Sequence, residues 1–533
     1  MPNRCVVICP NIASNDRKRE TNRIQRCCEL PDSGYSVTVR STMFWEKPML
    51  QTRRLTDISC LLLICWHLLA SSSYAQTPTS LEPTIFDSME YRHIGPVGNR
   101  VSAVVGVPGD RNIYYAGAAS GGIFKSIDGG IHWEPIFDDQ PAASIGALAI
   151  NPVNPNIVWA GTGETFIRSN ISHGNGIYRS TDAGKTWQHM GLDATGRIGR
   201  IVVHPTNPNI VFAAALGHGY GPQENRGVFR SQDNGLTWEH VLFIDEHTGA
   251  SDLVIDPNNP QILFAGMWQL LIQTWGRESG GPGSGLWTSR DGGSTWHELT
   301  GNGLPGKPLG KIGLSMTPID SNRIYALIET NADADVEDHE GVLWRSDDGG
   351  NHWQMVNADH TLAQRPLYYT RATVAPDDRD EIHFLSTRHS VSLDGGLTIT
   401  RGTAGGDNHD MWIDPLIPDR MIVGHDGGLS ISTTRGESWW RPRMPIAQMY
   451  HAYTDNQIPY YVYGNRQDGP SARVPSNSLQ QGGIPIGLMH SVGGCESGFA
   501  IPDPVENNIV WSGCYDSILE RYDLNTGHAR NVS

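Results

Sequence analysis

The chain is poor in cysteine, in basic residues and in long apolar runs, and each scarcity narrows what it can be. Six of its 8 cysteines lie at or before Cys65, so only Cys495 and Cys514 fall in the remainder. No Cys-x-x-Cys or His-x-x-x-His spacing occurs, so nothing points to a transition-metal site and no metal ligand set is assigned. Lys and Arg number 40 against 56 Asp and Glu, a net charge of −16, which makes nucleic acid and anionic membrane surfaces poor partners. The main apolar run, Ile58 to Ala70, stops short of the ~20 residues a membrane-spanning helix needs. A 3.6-residue apolar period is missing too, which argues against helical repeats.

The apolar run has another reading. Arg53 and Arg54 precede it, and Ser73-Tyr74-Ala75 follows as a small-x-small cleavage site before Gln76. That is the layout of a secretory signal peptide. The expectation is a leader over 1–75, a linker over 76–90, a mature chain with no integral membrane segment, and a secreted or periplasmic location. Residues upstream of Met43 or Met49 resemble no domain. The leader holds 10 Lys+Arg and 6 Asp+Glu, leaving 30 and 50, so the mature chain carries −20. Cys495 and Cys514, a lone pair in an exported protein, are a disulfide candidate; the alternative is two free buried thiols.

What the chain has in abundance is turns, with 60 Gly and 33 Pro. They are organised by an eight-residue box, Ser-x-Asp-x-Gly-x-(Thr/Ser/His)-Trp. It runs from Ser126 to Trp133, Ser180 to Trp187, Ser231 to Trp238, Ser289 to Trp296 and Ser346 to Trp353. Two worn copies follow: Ser392 to Ile399 lacks the Trp, and Ser432 to Trp439 has Thr434 in place of Asp. Short β-patterned runs such as Gly176-Ile177-Tyr178-Arg179 precede the boxes. Asp accepts backbone N–H bonds in a turn, Gly takes positive φ, and Trp can seal an apolar gap. Asp128, Asp182, Asp233, Asp291, Asp348 and Asp394 therefore have structural work. A second repeat, a Pro turn before a β-run, keeps phase with it at Asn151-Pro152, His204-Pro205 and Asp256-Pro257.

The box aspartates stand 46 to 58 residues apart. A period holding about four short antiparallel strands, repeated at least seven times, is a β-propeller blade. The expected fold is all-β, a propeller of seven or more four-stranded antiparallel blades with Asp-box hairpins. It should fill 91–440, with 441–533 forming further blades or the start of a second propeller.

The boxes are the Asp-box, or bacterial neuraminidase repeat. With Gly199-Arg200-Ile201-Val202-Val203-His204-Pro205, Gly266-Met267-Trp268-Gln269, Gly406-Asp407-Asn408-His409-Asp410 and Gly424-His425-Asp426-Gly427-Gly428, the chain resembles exported bacterial Asp-box propellers termed sortilin-N-terminal-like or glycosyl-hydrolase-like. Members of that family run longer, so the resemblance implies a C-terminally incomplete propeller array. Similar propellers occur in sialidases, xyloglucan-cleaving glucanases, sortilin-type receptors and photosystem II assembly factors, so fold analogy does not choose among functions. A sialidase would need an arginine triad and a Phe/Tyr-Arg-Ile-Pro motif; Arg443-Met444-Pro445 is only an echo of the latter. Xyloglucan-cleaving relatives use two Asp across a cleft between two propellers, and nothing local picks out such a pair here.

Candidate site residues come from the last third. Asp407, His409, Asp410, His425, Asp426, Gln467, Asp468 and Glu496 each sit near a strand end in equivalent parts of their units. Equivalent positions of a propeller converge on the central channel. Such a convergence could bind a sugar, a peptide amine or a divalent cation, although no cofactor is evident. The alternative is that they cap strands around a wet channel. Trp268, Trp275 and Trp287 flank a Gly/Pro-rich stretch, Gly280 to Gly285, read as a long loop whose Trp could stack on a sugar ring, with core packing the expected role of Trp287, which sits in a strand. The leading functional expectation is an exported propeller binding a protein, peptide or glycan through its channel face and loops. The alternatives are a glycoside hydrolase with paired carboxylates and an assembly or scaffold factor.

Overall fold

The computed structural model describes residues 82–86, 88, 93–96, 100–168, 171–330, 342–481 and 483–533. The expected signal peptide, its flanking arginines and its cleavage site lie outside the described residues. Met1–Met89 and Glu90–Ser533 form separate units, and everything below concerns the second. No helix among the described residues is long and apolar enough to cross a membrane.

Among the described residues, nine antiparallel sheets follow one another along the chain. The first seven span 101–135, 145–189, 198–242, 248–299, 312–357, 371–406 and 408–432, and are here called blades 1 to 7. In each, the first strand packs against the first strand of the next blade. The inner strand of blade 7 (Asn408–Ile413) also packs against that of blade 1 (Val101–Gly106), which closes a ring. The closure is hydrogen-bonded: Asp410 Oδ2 accepts the Val104 N–H at 3.0 Å, and Arg420 donates to the carbonyls of Val107 and Ile113. Two further four-stranded blades, 8 (453–491) and 9 (500–531), come after the ring.

The box residues explain the outer hairpins. In blade 2, Asp182 Oδ1 accepts the Ser180 hydroxyl at 2.8 Å and the Thr186 N–H at 2.9 Å, while Oδ2 accepts the Thr186 hydroxyl at 2.7 Å. The Thr186 hydroxyl and N–H hold the Asp182 carboxyl down at about 2, so it stays ionised and keeps the turn closed. The Trp187 N–H reaches back to the Ile136 carbonyl of blade 1 at 2.7 Å, so its ring joins two blades. Gly235 shows why the turn needs glycine: its φ is +86°, and a Cβ there would lie 2.5 Å from the buried Trp159 ring. In the worn copy of blade 7, Thr434 substitutes for Asp by accepting the Ser438 N–H at 3.0 Å. The fourth strand of that blade shrinks to one bridge, Ile431 to Trp440. The Pro-turn repeat is held by its first residue: Asn151 Oδ1 caps Val153 and Asn154, and His204 Nδ1 caps Thr206 and Asn207.

Two readings of the tryptophans change. Trp268 is fully buried, packed with Ile167, Leu216 and Leu270, because the second strand of blade 4 continues far past the sheet as Leu263–Gln273. The Gly/Pro-rich stretch is not one long loop, since Gly276–Ser279 pairs back on that strand as a hairpin. Trp275, at its tip, is 81% exposed.

Cys495 and Cys514 are disulfide-bonded, 19 residues apart, tying the approach to blade 9 to the end of its second strand. Replacing both with Ser should cost about 3 kcal/mol of loop-closure stabilisation. Urea unfolding of the wild type with and without reductant checks this; an unchanged midpoint would show that the crosslink adds nothing.

Candidate functional site

The site is built around Glu164, in the connection after the second strand of blade 2 (Val158–Thr162). Glu164 is fully buried. Its Oε1 accepts Arg100 Nη1 and Arg168 Nε, both at 2.6 Å, and its Oε2 accepts the Ser172 N–H at 3.2 Å. A buried carboxylate survives only when it is paired and its lone pairs are filled, and here both hold. Glu164 thereby orients two guanidiniums in different directions.

Arg100 turns toward blade 7. Its Nε donates to Asp426 Oδ1 at 3.0 Å. Asp426 also accepts the Tyr368 hydroxyl, 3.0 Å from each oxygen, and His409 Nε2 at 2.5 Å. His409 and Arg100 hold the Asp426 carboxyl well below the usual carboxylate range despite its burial. His409 is fully buried against Phe166, with ring centres 4.3 Å apart, and burial lowers its pKa, so it stands as the neutral donor. Its Nδ1 has no hydrogen-bond partner among the described residues.

Arg168 turns toward blade 8. It donates to Gln467 Oε1 at 3.0 Å and Gln448 Oε1 at 2.8 Å. The Gln467 amide is thus oriented with Nε2 outward, donating to Asp468 Oδ1 and Glu496 Oε2, each at 2.9 Å. Glu496 Oε2 also accepts the Asp468 N–H at 2.7 Å, in a turn where Asp468 has φ +53°. Arg100 Nη2 comes within 3.8 Å of Asp468 Oδ2. Burial, and then the negative charge of Asp426, push the Asp468 carboxyl up to about 7. Even so, 37% of its side chain is exposed, against 10% for Asp426. The seam between the ring and blade 8 therefore presents one accessible carboxyl group that keeps its proton near neutrality, with a locked carboxylate behind it.

Of the eight sequence candidates, His409, Asp426, Gln467, Asp468 and Glu496 meet in this network. Asp407 stands one layer back, hydrogen-bonded to the Tyr369 hydroxyl, with its carbonyl accepting the Asp426 N–H. Asp410 is elsewhere in the channel lining, facing Arg371 at 3.2 Å and Arg200 at 3.5 Å. His425 turns away to Ser430 at 3.0 Å. Asp410 and His425 therefore do not share the seam site: neighbouring strand residues point to opposite faces, and a bulge between Asn408 and Asp410 re-aims the second. Arg100, Glu164, Arg168 and Tyr368 were missed, because the box repeat gives them no register. A buried-looking Glu164 four residues before Arg168 was the available signal. No group of three or more His, Cys, Asp and Glu among the described residues is arranged to hold a metal ion.

The ring matches known proteins. Residues 175–303 match the family model described as Sortilin-Vps10 (sortilin, neurotensin receptor 3). A xyloglucanase from a Paenibacillus species is 25% identical over 376 residues, 62% of this chain and 34% of that protein. The chain is a β-propeller that resembles the sortilin-type and glycosyl-hydrolase propellers. Xyloglucanase Xgh74A of Acetivibrio thermocellus is 25% identical over 246 residues, 41% of this chain and 27% of its own length. Among solved structures, one described as an ancestral GH74 enzyme superposes with a TM-score of 0.55 at 16% identity, covering 84% of this chain and 64% of that one. This propeller thus spans about a third or less of the length of those xyloglucanases.

One channel residue stands outside the network. Lys311, just before the inner strand of blade 5 (Ile312–Met316), is buried with its ammonium 5.5 Å from the Phe166 ring centre and 5.1 Å from that of Trp268. Burial, and then the charge of Arg371, press its pKa down to about 7, with Arg197 in the same sense and Glu329 and Asp252 opposing. Between about pH 7 and 10.5 the unfolded chain holds a proton there that the folded one lacks, so stability rises with pH in that window, by up to about 1.4 kcal/mol per unit. Below it the cost of the buried ammonium is fully present. Lys311→Met should remove that rise. Urea midpoints at pH 7 and 9 check it: parallel pH dependence in both proteins would show that Lys311 is solvated.

Proposed function

We propose that the protein is a glycoside hydrolase acting on a polysaccharide at the seam between its ring and blade 8, with Asp468 as the proton donor. The observation that carries this is the exposed Asp468 carboxyl, kept protonated near neutrality by burial and by ionised Asp426. Cleaving a glycosidic bond requires a proton on the leaving oxygen as the C–O bond breaks, and a carboxylic acid with a raised pKa supplies it. The sequence likeness to xyloglucanases supports a polysaccharide as substrate, and xyloglucan is the first to test. The leader supports action outside the cytoplasm. Gln467 and Arg168 act by position, holding Asp468 and Glu496 in place.

A second reading, a glycan-binding propeller without turnover, is favoured by one observation. Asp426 is already engaged by Arg100, Tyr368 and His409 and its side chain is only 10% exposed, so it is poorly placed to activate a water. A panel of soluble polysaccharides, assayed for new reducing ends and in parallel for binding by calorimetry, separates the two. Release of reducing ends supports the hydrolase. Tight binding without release supports the second reading, and neither result from the panel sinks both.

A further inference from the structure

A second cavity, which shares no lining residue with the seam network, has its own chemistry. It lies between the outer strands of blade 6 (Arg388–Ser392 and Thr400–Gly406) and the turn after the second strand of blade 7, and encloses about 710 Å³. Arg388, Arg401 and Arg441 line it, and among the described residues no carboxylate does. In a chain with net charge −16, three guanidiniums facing one space without an acid is an imbalance that calls for a counter-charge. The two carboxylates nearest in sequence are committed elsewhere, Asp407 to Tyr369 and Asp426 to the seam network.

The cationic groups differ in how they are held. Arg441 is oriented by the carbonyls of Thr403 at 2.9 Å and Ala404 at 3.2 Å and by the Ser430 hydroxyl at 3.3 Å. Arg388 and Arg401 are exposed and make no side-chain hydrogen bond or ion pair among the described residues. The floor is glycine backbone at Gly405 and Gly406, and a Cβ on Gly405 would come 2.7 Å from the His425 ring. The Thr403 hydroxyl offers a hydrogen bond to a ring hydroxyl. Among the described residues, His425 apart, no aromatic or large aliphatic side chain lines the space, so an apolar peptide side chain finds no seat.

We propose that this cavity binds an anionic saccharide, with the carboxylate of a uronic acid unit held among Arg388, Arg401 and Arg441. A guanidinium fork matches a carboxylate through two parallel hydrogen bonds, and the cavity is the size of a small-ligand site. None of its lining residues belongs to the seam network.

The test is calorimetric titration with three oligosaccharides of equal length: a galacturonate oligomer, its neutral galactose counterpart and a sulfated galactose oligomer. The galacturonate oligomer is expected to bind, more weakly at higher salt, and the neutral one not to bind. Arg388→Gln with Arg401→Gln, which disturbs no internal bond, should weaken it tenfold or more. Asp468→Asn, at the seam, should leave it unchanged. Binding of the sulfated oligomer alone would overturn the carboxylate assignment. No binding by either acidic oligomer, or equal binding by the neutral one or by the double variant, would overturn the site.

Discussion

Asp468→Asn is expected to lower the turnover of the cleaved polysaccharide by about 10²–10⁴-fold while leaving its KM within a few-fold, because Asn keeps the shape and loses the proton. The pH profile makes the claim sharper. Asp468 must be protonated to donate, and its carboxyl lies at about 7, so kcat/KM of the wild type should fall tenfold per unit above that pH. After burial, the Asp426 charge is the largest cause of that raised value, ahead of the contact with Glu496. Asp426→Asn should therefore move the alkaline limb to lower pH, a shift that a merely structural role would not produce. Reducing-end assays from pH 5 to 9 on the three proteins decide it. An Asp468→Asn variant with wild-type turnover would end the assignment of Asp468 as the donor.

Glu164→Gln should be the most destabilising single change in this region, costing about 3–5 kcal/mol. The amide keeps the volume but cannot balance Arg100 and Arg168, both buried and both 2.6 Å from the same oxygen. Exposed pairs set the scale. Arg230 faces Glu239 at 2.8 Å, but Glu239 is 61% exposed, so Glu239→Gln should cost less than about 1 kcal/mol. Arg168 also holds Gln448 and Gln467, so losing its anchor should loosen blade 8 as well as lower the melting temperature. Thermal unfolding together with limited proteolysis of the 441–452 connection measures both effects. Equal, small losses in the two variants would mean that Glu164 is no keystone.

The difference between these two sites shows how far reading the chain could go. The Asp-box is local chemistry: Asp182 bonds Ser180 and Thr186 within a few residues, so its structural role is visible in eight letters. The site network is the opposite. Arg100 reaches Asp426 across 326 residues, and Arg168 reaches Gln467 across 299. The polar residues His409, Asp426, Gln467, Asp468 and Glu496 stood out because the repeat breaks where they occur. Their partners Arg100, Glu164 and Arg168 lie beside strands of the intact early blades, where the box repeat does not mark them.

The repeat is legible in the chain alone, and with it the all-β propeller of four-stranded blades and the structural duty of the box aspartates. Each of these follows from turn chemistry and strand patterning within one period. Three outcomes needed the folded chain: blade 7 packs on blade 1, Asp410 and His425 leave the shared cluster, and Asp468 lies close enough to Asp426 to keep its proton. They depend on ring closure and on the electrostatics of groups in different blades, which no local pattern encodes.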